Sequence, residues 1–375
     1  MIYLDNAATT KPCRAAAEAM LSVVEEFGNP SSLHGMGLAA EKKLNAAKQI
    51  LSGMLGGIAK NIYFTSGGTE ANNLAVIGSA LAKKREGSRV IVSAAEHPSV
   101  LEAARHLSDI GFDVKYAPID ITGRVNIDLF SELITPDTIV VSVMHVNNET
   151  GVIQPIEELS RIIKSTAPKA VFHCDCVQSF GKLPVNINKL GVDMISISAH
   201  KIHGFKGCGA LYTKNTRISP MIHGGEQQNG MRPGTENIGG ILAFAAAAKE
   251  CSNENDKMKM KRQIMIDALR ASLPDIVVNG SDKYNSGSVL NVSFPAIKAE
   301  ILLHALEQHG IYISTGSACS SHKPMPSHVL TAMGVQQKLI AGAARMSFSE
   351  ETSIEELKEA AAVIAEEAKK IRRYM

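Results

Sequence analysis

The chain has 375 residues, with 39 Lys and Arg against 37 Asp and Glu for a net charge of +2. That balance excludes the strongly basic surface that would make nucleic acid or an anionic membrane a direct partner. With 45% hydrophobic and 20% charged residues, the composition is that of a globular chain, long enough for one large domain and a smaller companion.

The opening Met1-Ile-Tyr-Leu-Asp5 carries no basic stretch and no long apolar run, and nothing reaches the ~18 apolar residues of a membrane span. The six cysteines, Cys13, Cys174, Cys176, Cys208, Cys251 and Cys319, are scattered and form no dense framework. A reducing, cytoplasmic setting is expected from this usage. Cys174 and Cys176 have the spacing of alternate strand positions rather than of a zinc site, and no metal is expected.

Taken in chain order, β-branched runs predict strands at 62–65, 89–93, 113–117, 139–145, 170–175, 193–198 and 209–213. Helical periodicity lies between several of them, at 70–86, 99–111 and 155–167. Several runs are apolar without alternation, as in strands covered on both faces. The expected fold class is therefore α/β, with a mostly parallel seven-stranded sheet flanked by helices. Near residue 250 the pattern changes. A charged helix at 254–272, a strand at 288–294, a helix at 299–309, a strand at 343–349 and a helix at 353–373 predict a smaller α+β unit. Ser353 followed by Glu356 predicts a capping box at the start of the last helix.

Ligands in open α/β sheets sit beyond the carboxyl ends of the strands, and reactive residues follow almost every run. Thr65-Ser-Gly-Gly-Thr-Glu70 opens a helix and offers free N–H groups to a phosphate. His97, in Glu96-His97-Pro98-Ser99, can stack on a flat ring or move protons. His145-Val-Asn-Asn-Glu-Thr-Gly151 places asparagines where a carboxylate or phenolic oxygen could be gripped. Asp175, in His173-Cys-Asp-Cys-Val-Gln178, ends a buried run where a carboxylate needs a cation, and a protonated pyridine would serve. Gln178 follows about one turn later. Lys201, in Ser196-Ile-Ser-Ala-His-Lys-Ile-His-Gly204, is a lysine in the same crevice, and lysine amines form Schiff bases. Thr315-Gly-Ser-Ala-Cys-Ser-Ser321 puts a thiol in a loop of small residues. Arg345 sits in an apolar strand and can bind a carboxylate through its fork. Each motif alone also reads as an ordinary turn, cap or surface residue; together they point to pyridoxal phosphate.

With these motifs in hand, the chain resembles the cysteine desulfurases, of the class V aminotransferase branch of fold-type-I pyridoxal-phosphate enzymes. The resemblance begins at Tyr3-Leu-Asp-Asn-Ala-Ala-Thr-Thr10 and Phe27-Gly-Asn-Pro-Ser-Ser32. It runs through Gly230-Met-Arg-Pro-Gly-Thr-Glu236 and past Arg345, and Gly316-Ser-Ala-Cys-Ser-Ser321 is its most specific piece. It implies a large cofactor domain at 14–251 and a small domain made of 1–13 and 252–375. It implies Lys201 as the Schiff-base lysine, Asp175 on the pyridine nitrogen, Gln178 on the phenolic oxygen and His97 on the ring. Gly68, Thr69, Ser198 and His200 would hold the phosphate, and Thr235 would complete the site of a neighbouring subunit in a homodimer. Asn148 and Arg345 would bind the carboxylate of L-cysteine, and Cys319 would take its sulfur as a persulfide for a sulfur-acceptor protein, an iron–sulfur scaffold or a thiolation enzyme. A selenocysteine lyase or another class V enzyme is the alternative. The chain departs from the family at Cys176, where a smaller residue is usual, at His203-Gly-Phe-Lys-Gly207, which lacks a common proline, and at Ser347-Phe-Ser349 after Arg345.

Overall fold

A computed structural model describes residues 1–214, 216–252, 255–315 and 326–374. Seven strands build the large sheet: β1 (Ile62–Thr65), β2 (Arg89–Ser93), β3 (Asp113–Ala117), β4 (Thr138–Ser142), β5 (Val171–Asp175), β6 (Met194–Ser198) and β7 (Gly209–Thr213). Their spatial order is β1-β7-β6-β5-β4-β2-β3. Only β7 runs against the rest, since it pairs antiparallel with both β6 and β1. The carboxyl ends of β1, β2, β4, β5 and β6 therefore share one edge. Every residue of β4, β5 and β6 is buried, which matches strands covered by helices on both faces.

The observed strands agree with the runs in the sequence to within a few residues. The largest difference is at 139–145, where β4 ends at Ser142. The chain beyond it stays extended but irregular, giving single bonds from Val143 N to His173 O (3.1 Å) and from His145 N to Asp175 O (2.9 Å). The charged helix predicted at 254–272 is described over Asn255–Ser272, Glu254 lying outside the described residues.

The turn after β1 depends on close backbone approach. A Cβ on Gly209, at the start of β7, would come within 2.7 Å of the Gly67 backbone. Only glycine lets β7 pass beneath the turn that opens the helix Gly68–Lys83.

A second hydrophobic core lies under a four-stranded antiparallel sheet, in the order Ser314–Thr315, Ala343–Ser347, Val289–Ser293 and Val277–Asn279. The helices Asn255–Ser272 and Ile354–Arg372 bury Met265, Leu269, Leu357 and Ile364 in it. The capping box is present: Glu356 N donates to Ser353 Oγ (3.0 Å) and Ser353 N to Glu356 Oε2 (2.8 Å). The N-terminus joins this part of the molecule, with Ile2–Tyr3 pairing alongside Ile311–Tyr312 and Ile2 and Leu4 entering the second core. Val329, Leu330 and Met333, in contrast, pack into the core of the large sheet. The two parts are thus crossed by the chain at both ends, and the N-terminal segment leads from the small sheet to the edge where the carboxyl ends lie.

Candidate active site

A crevice of about 320 Å³ opens beyond that edge. Asp175 ends β5 and Ser198 ends β6, and His97 stands four residues past β2. Gly68 and Thr69 open the helix that follows β1. Together with Gln178, His200, Lys201, Asn148 and Arg345 they all line this one cavity. Thr235 does not: it is exposed, on a loop outside this cavity. Cys319 lies outside the described residues.

Lys201 follows β6 directly, and its Nζ donates to the carbonyls of Ala7 (2.6 Å) and Ala8 (2.7 Å). Gln178 is anchored to the same segment, its Nε2 donating to Ala7 O at 2.9 Å. The Nζ of Lys182, one turn on, donates to Gln178 Oε1 at 3.4 Å. Burial pushes Lys182 down to about 8. His200 meets Thr9 Oγ1 through Nδ1 at 3.2 Å, and burial together with Lys201, Lys206 and Lys182 pushes it down to about 4.

Asp175 is held by two donors. Val177 N reaches Oδ1 at 2.9 Å, and Asn72 Nδ2 reaches Oδ2 at 2.7 Å. Asn72 stands one turn into the helix Gly68–Lys83, on the side facing β5. A second buried carboxyl lies nearby: Glu96 accepts from Met144 N at 2.6 Å through Oε1. Burial and the charge of Asp175 hold Glu96 well above the usual carboxylate range.

Asn147 organises the turn after β4. Its Oδ1 accepts from Glu149 N and Thr150 N, both at 2.9 Å, which turns Asn148 toward the crevice. Asn148 then accepts Arg345 Nη1 at its carbonyl (3.2 Å), while Arg345 Nη2 pairs with Asp5 at 2.8 Å. Arg345 Nε is buried and has no partner among the described residues.

The cavity fits pyridoxal phosphate by one direct criterion. Ser198 Oγ is buried without a partner among the described residues, at the place where a phosphate oxygen would accept it. A Cβ on Gly68 would come within 2.8 Å of the Val177 side chain, so the mouth of the helix is kept narrow and its N–H groups open. Asp175 and these donors line the same cavity. No group of three or more His, Cys, Asp or Glu suited to a metal occurs among the described residues.

The sequence motifs thus locate most of the cavity, but not Asn72, Asp5 or the carbonyls of Ala7 and Ala8. Asn72 carried a signal in its spacing, four residues after Gly68 on the same helix face. Asp5 lay within a quoted motif whose partner is remote in the chain. The carbonyls carry no side-chain signal at all.

The family model for class-V aminotransferases matches residues 2–359. The chain is 40% identical to the cysteine desulfurase IscS of Methanosarcina thermophila, over 99% of this chain and 93% of that one. It is 41% identical to the cysteine desulfurase IscS of Dictyoglomus turgidum, over 95% and 91% respectively. Among solved structures, a NifS-like protein superposes with a TM-score of 0.92 at 36% identity, covering 98% of this chain and 99% of that one. The structure of SspA in complex with cysteine gives 0.83 at 32% identity, covering 93% and 99%.

Proposed function

Because the chain belongs to the class-V aminotransferase family and is a cysteine desulfurase, we propose that its crevice converts L-cysteine to L-alanine with Cys319 receiving the sulfur. The family is pyridoxal-phosphate dependent, and the observation that carries the reading here is the meeting of Lys201, Asp175, His97 and the orphaned Ser198 hydroxyl in one cavity.

When bound, pyridoxal phosphate supplies an electron sink that makes an amino-acid Cα proton removable. Ser198, His200, Thr69 and the N–H of Gly68 would hold its phosphate, Asp175 its ring nitrogen and Gln178 its phenolic oxygen. His97 would cover the ring. Lys201 would hold the cofactor, and its Nζ would take the Cα proton of the substrate. The carbonyls of Ala7 and Ala8 stabilise the ammonium that results, since both lie within 2.7 Å of Nζ. Arg345 and Asn148 would orient the substrate carboxylate; the Cys319 thiolate would form the new S–S bond with the substrate sulfur as the C–S bond breaks, the C–S electron pair staying with the β-carbon, which takes a proton to become the methyl of alanine. The persulfide then passes to an acceptor protein, an iron–sulfur scaffold or a thiolation enzyme.

A homodimer is part of this reading. Leu21, Val24, Phe27 and Leu33 are each more than 60% exposed within a short stretch, an apolar surface that a second copy would cover. The loop bearing Thr235 would then complete the partner's phosphate site. The division into 14–251 and a small domain of 1–13 and 252–375 follows the two cores described above except at Val329, Leu330 and Met333, which pack into the larger one. Five described cysteines are free and fit a reducing cytoplasm, and among the described residues no helix is long and apolar enough to cross a membrane.

Lys201→Ala tests the cofactor assignment. The variant should purify without the visible absorbance of the bound cofactor, and retention of that band would place the cofactor on another lysine.

A further inference from the structure

The hydrogen bonds around His97 decide which of its nitrogens carries the proton. Nδ1 lies 3.1 Å from Ser99 N and 2.8 Å from Ser99 Oγ. A backbone N–H only donates, so Nδ1 must be the accepting, unprotonated nitrogen.

The hydroxyl is itself held in place. Asn72 Nδ2 donates to Ser99 Oγ at 2.9 Å and gives its other proton to Asp175 Oδ2 at 2.7 Å. Turning the amide round would set Asn72 Oδ1 against the Asp175 carboxylate, two acceptors at hydrogen-bond distance. With Asn72 filling one lone pair of Ser99 Oγ, the hydroxyl proton is directed to Nδ1. An unbroken chain of bonds therefore runs from Asp175 through Asn72 and Ser99 to His97.

Two further features act the same way. His97 is the N-cap of the helix Pro98–Asp109, so the positive end of the helix dipole lies at its ring and disfavours an added charge. Burial holds the imidazole below its usual range; Asp175 opposes this, and Lys201, His328 and Arg345 add to it.

We propose that Asn72 and Ser99 are positioning residues that hold His97 as a neutral imidazole protonated at Nε2, the nitrogen outside these bonds. His97 then meets whatever lies over the crevice as a hydrogen-bond donor and not as a base. The same logic makes a neutral histidine at a helix N-terminus an electrophile in other enzymes. This inference rests on the reading of the crevice as the desulfurase site, but the tautomer can be observed without turnover.

The experiment is two-bond 1H–15N correlation NMR on the full-length, cofactor-loaded protein labelled with 15N-histidine. Of the twelve histidines, His97 is identified by the pair of signals lost in His97→Asn. At neutral pH the wild type should show Nδ1 in the unprotonated range and Nε2 in the protonated range. Ser99→Ala removes the shorter of the two bonds to Nδ1 and keeps the backbone N–H at 3.1 Å, so it and Asn72→Ala should each move Nδ1 part of the way upfield toward the average of the two tautomers, and Ser99→Thr should restore the wild-type shift. A protonated Nδ1 in the wild type overturns the proposal with no variant needed, and so do unchanged shifts in both Ser99→Ala and Asn72→Ala. Alanine formation from cysteine is scored on the same wild-type sample. The expected tautomer without alanine supports the proposal and counts against the desulfurase reading alone; alanine with the wrong tautomer does the reverse.

Discussion

Asp5 and Arg345, 340 residues apart, pair at 2.8 Å where the N-terminal segment meets the last strand of the small sheet. The pair fixes one arm of the guanidinium, the Asn148 carbonyl holds the other, and Nε has no partner among the described residues. A guanidinium held this way presents a fixed fork to a carboxylate. Arg345→Lys keeps the charge and loses the fork. Its KM for cysteine should rise about 10- to 100-fold, the equivalent of one or two charge-assisted bonds, with the cofactor spectrum unchanged. Steady-state kinetics on the loaded enzyme read this out.

Glu96 gives a pH signature. Its carboxyl is held well above the ordinary value of 4.5 by burial and by Asp175, so the folded chain binds a proton that the unfolded chain releases. The stability linked to this group is complete below about pH 4.5 and is lost as the pH rises through the raised value. Glu96→Gln keeps the acceptor for Met144 N and removes the titration. Urea unfolding at a series of pH values should show the variant gaining stability relative to wild type as the pH rises; a constant difference would contradict this.

Gln228 stands in for a missing strand at the sheet edge. Its Oε1 accepts from Phe64 N at 2.5 Å and its Nε2 donates to Phe64 O at 2.9 Å, pairing β1 where no further strand follows among the described residues. The loop is tied a second time by Arg232 and Glu70 at 2.8 Å. Gln228→Ala leaves a buried N–H unmatched and should cost about 1–3 kcal/mol, seen as a lower urea midpoint. Because this loop carries Thr235, the variant should also weaken the proposed homodimer, as read by analytical ultracentrifugation.

The thiols separate by access. Cys174 and Cys176 are fully buried, with their sulfurs 3.7 Å apart, and Cys208 is nearly so. Cys176→Ala removes a small buried side chain and should leave alanine formation within a few-fold of wild type, while Cys319→Ala should abolish it. Iodoacetamide on the native protein, followed by peptide mass mapping, should modify Cys13 well ahead of Cys174 and Cys176, with Cys251 lagging because burial pushes its thiol up to about 12.

The sheet was legible because its central strands are buried on both faces and so appear as unbroken apolar runs. The residues just beyond them, His97, Asp175, Ser198 and Lys201, fell on one edge because parallel strands put all their carboxyl ends together. Other features had no such trace. The helix Gly35–Met54 starts with two glycines in three residues, a poor helix former, and forms by burying Ala40, Leu44, Ala47 and Leu51. The helix Ile238–Lys249 is apolar all round, so it shows no amphipathic period. Asn72 and Ser99 read as ordinary helix residues until the fold sets Asn72 against Asp175, 103 residues away.

The central claim is tested most directly by the products. The purified, cofactor-loaded protein is incubated with L-cysteine and a reductant, and alanine and sulfide are measured together. Equal amounts of both, formed over many turnovers and lost in Cys319→Ala, are the predicted result. A yellow, cofactor-loaded protein that yields neither product, or a Cys319→Ala variant that yields both at the wild-type rate, would contradict it.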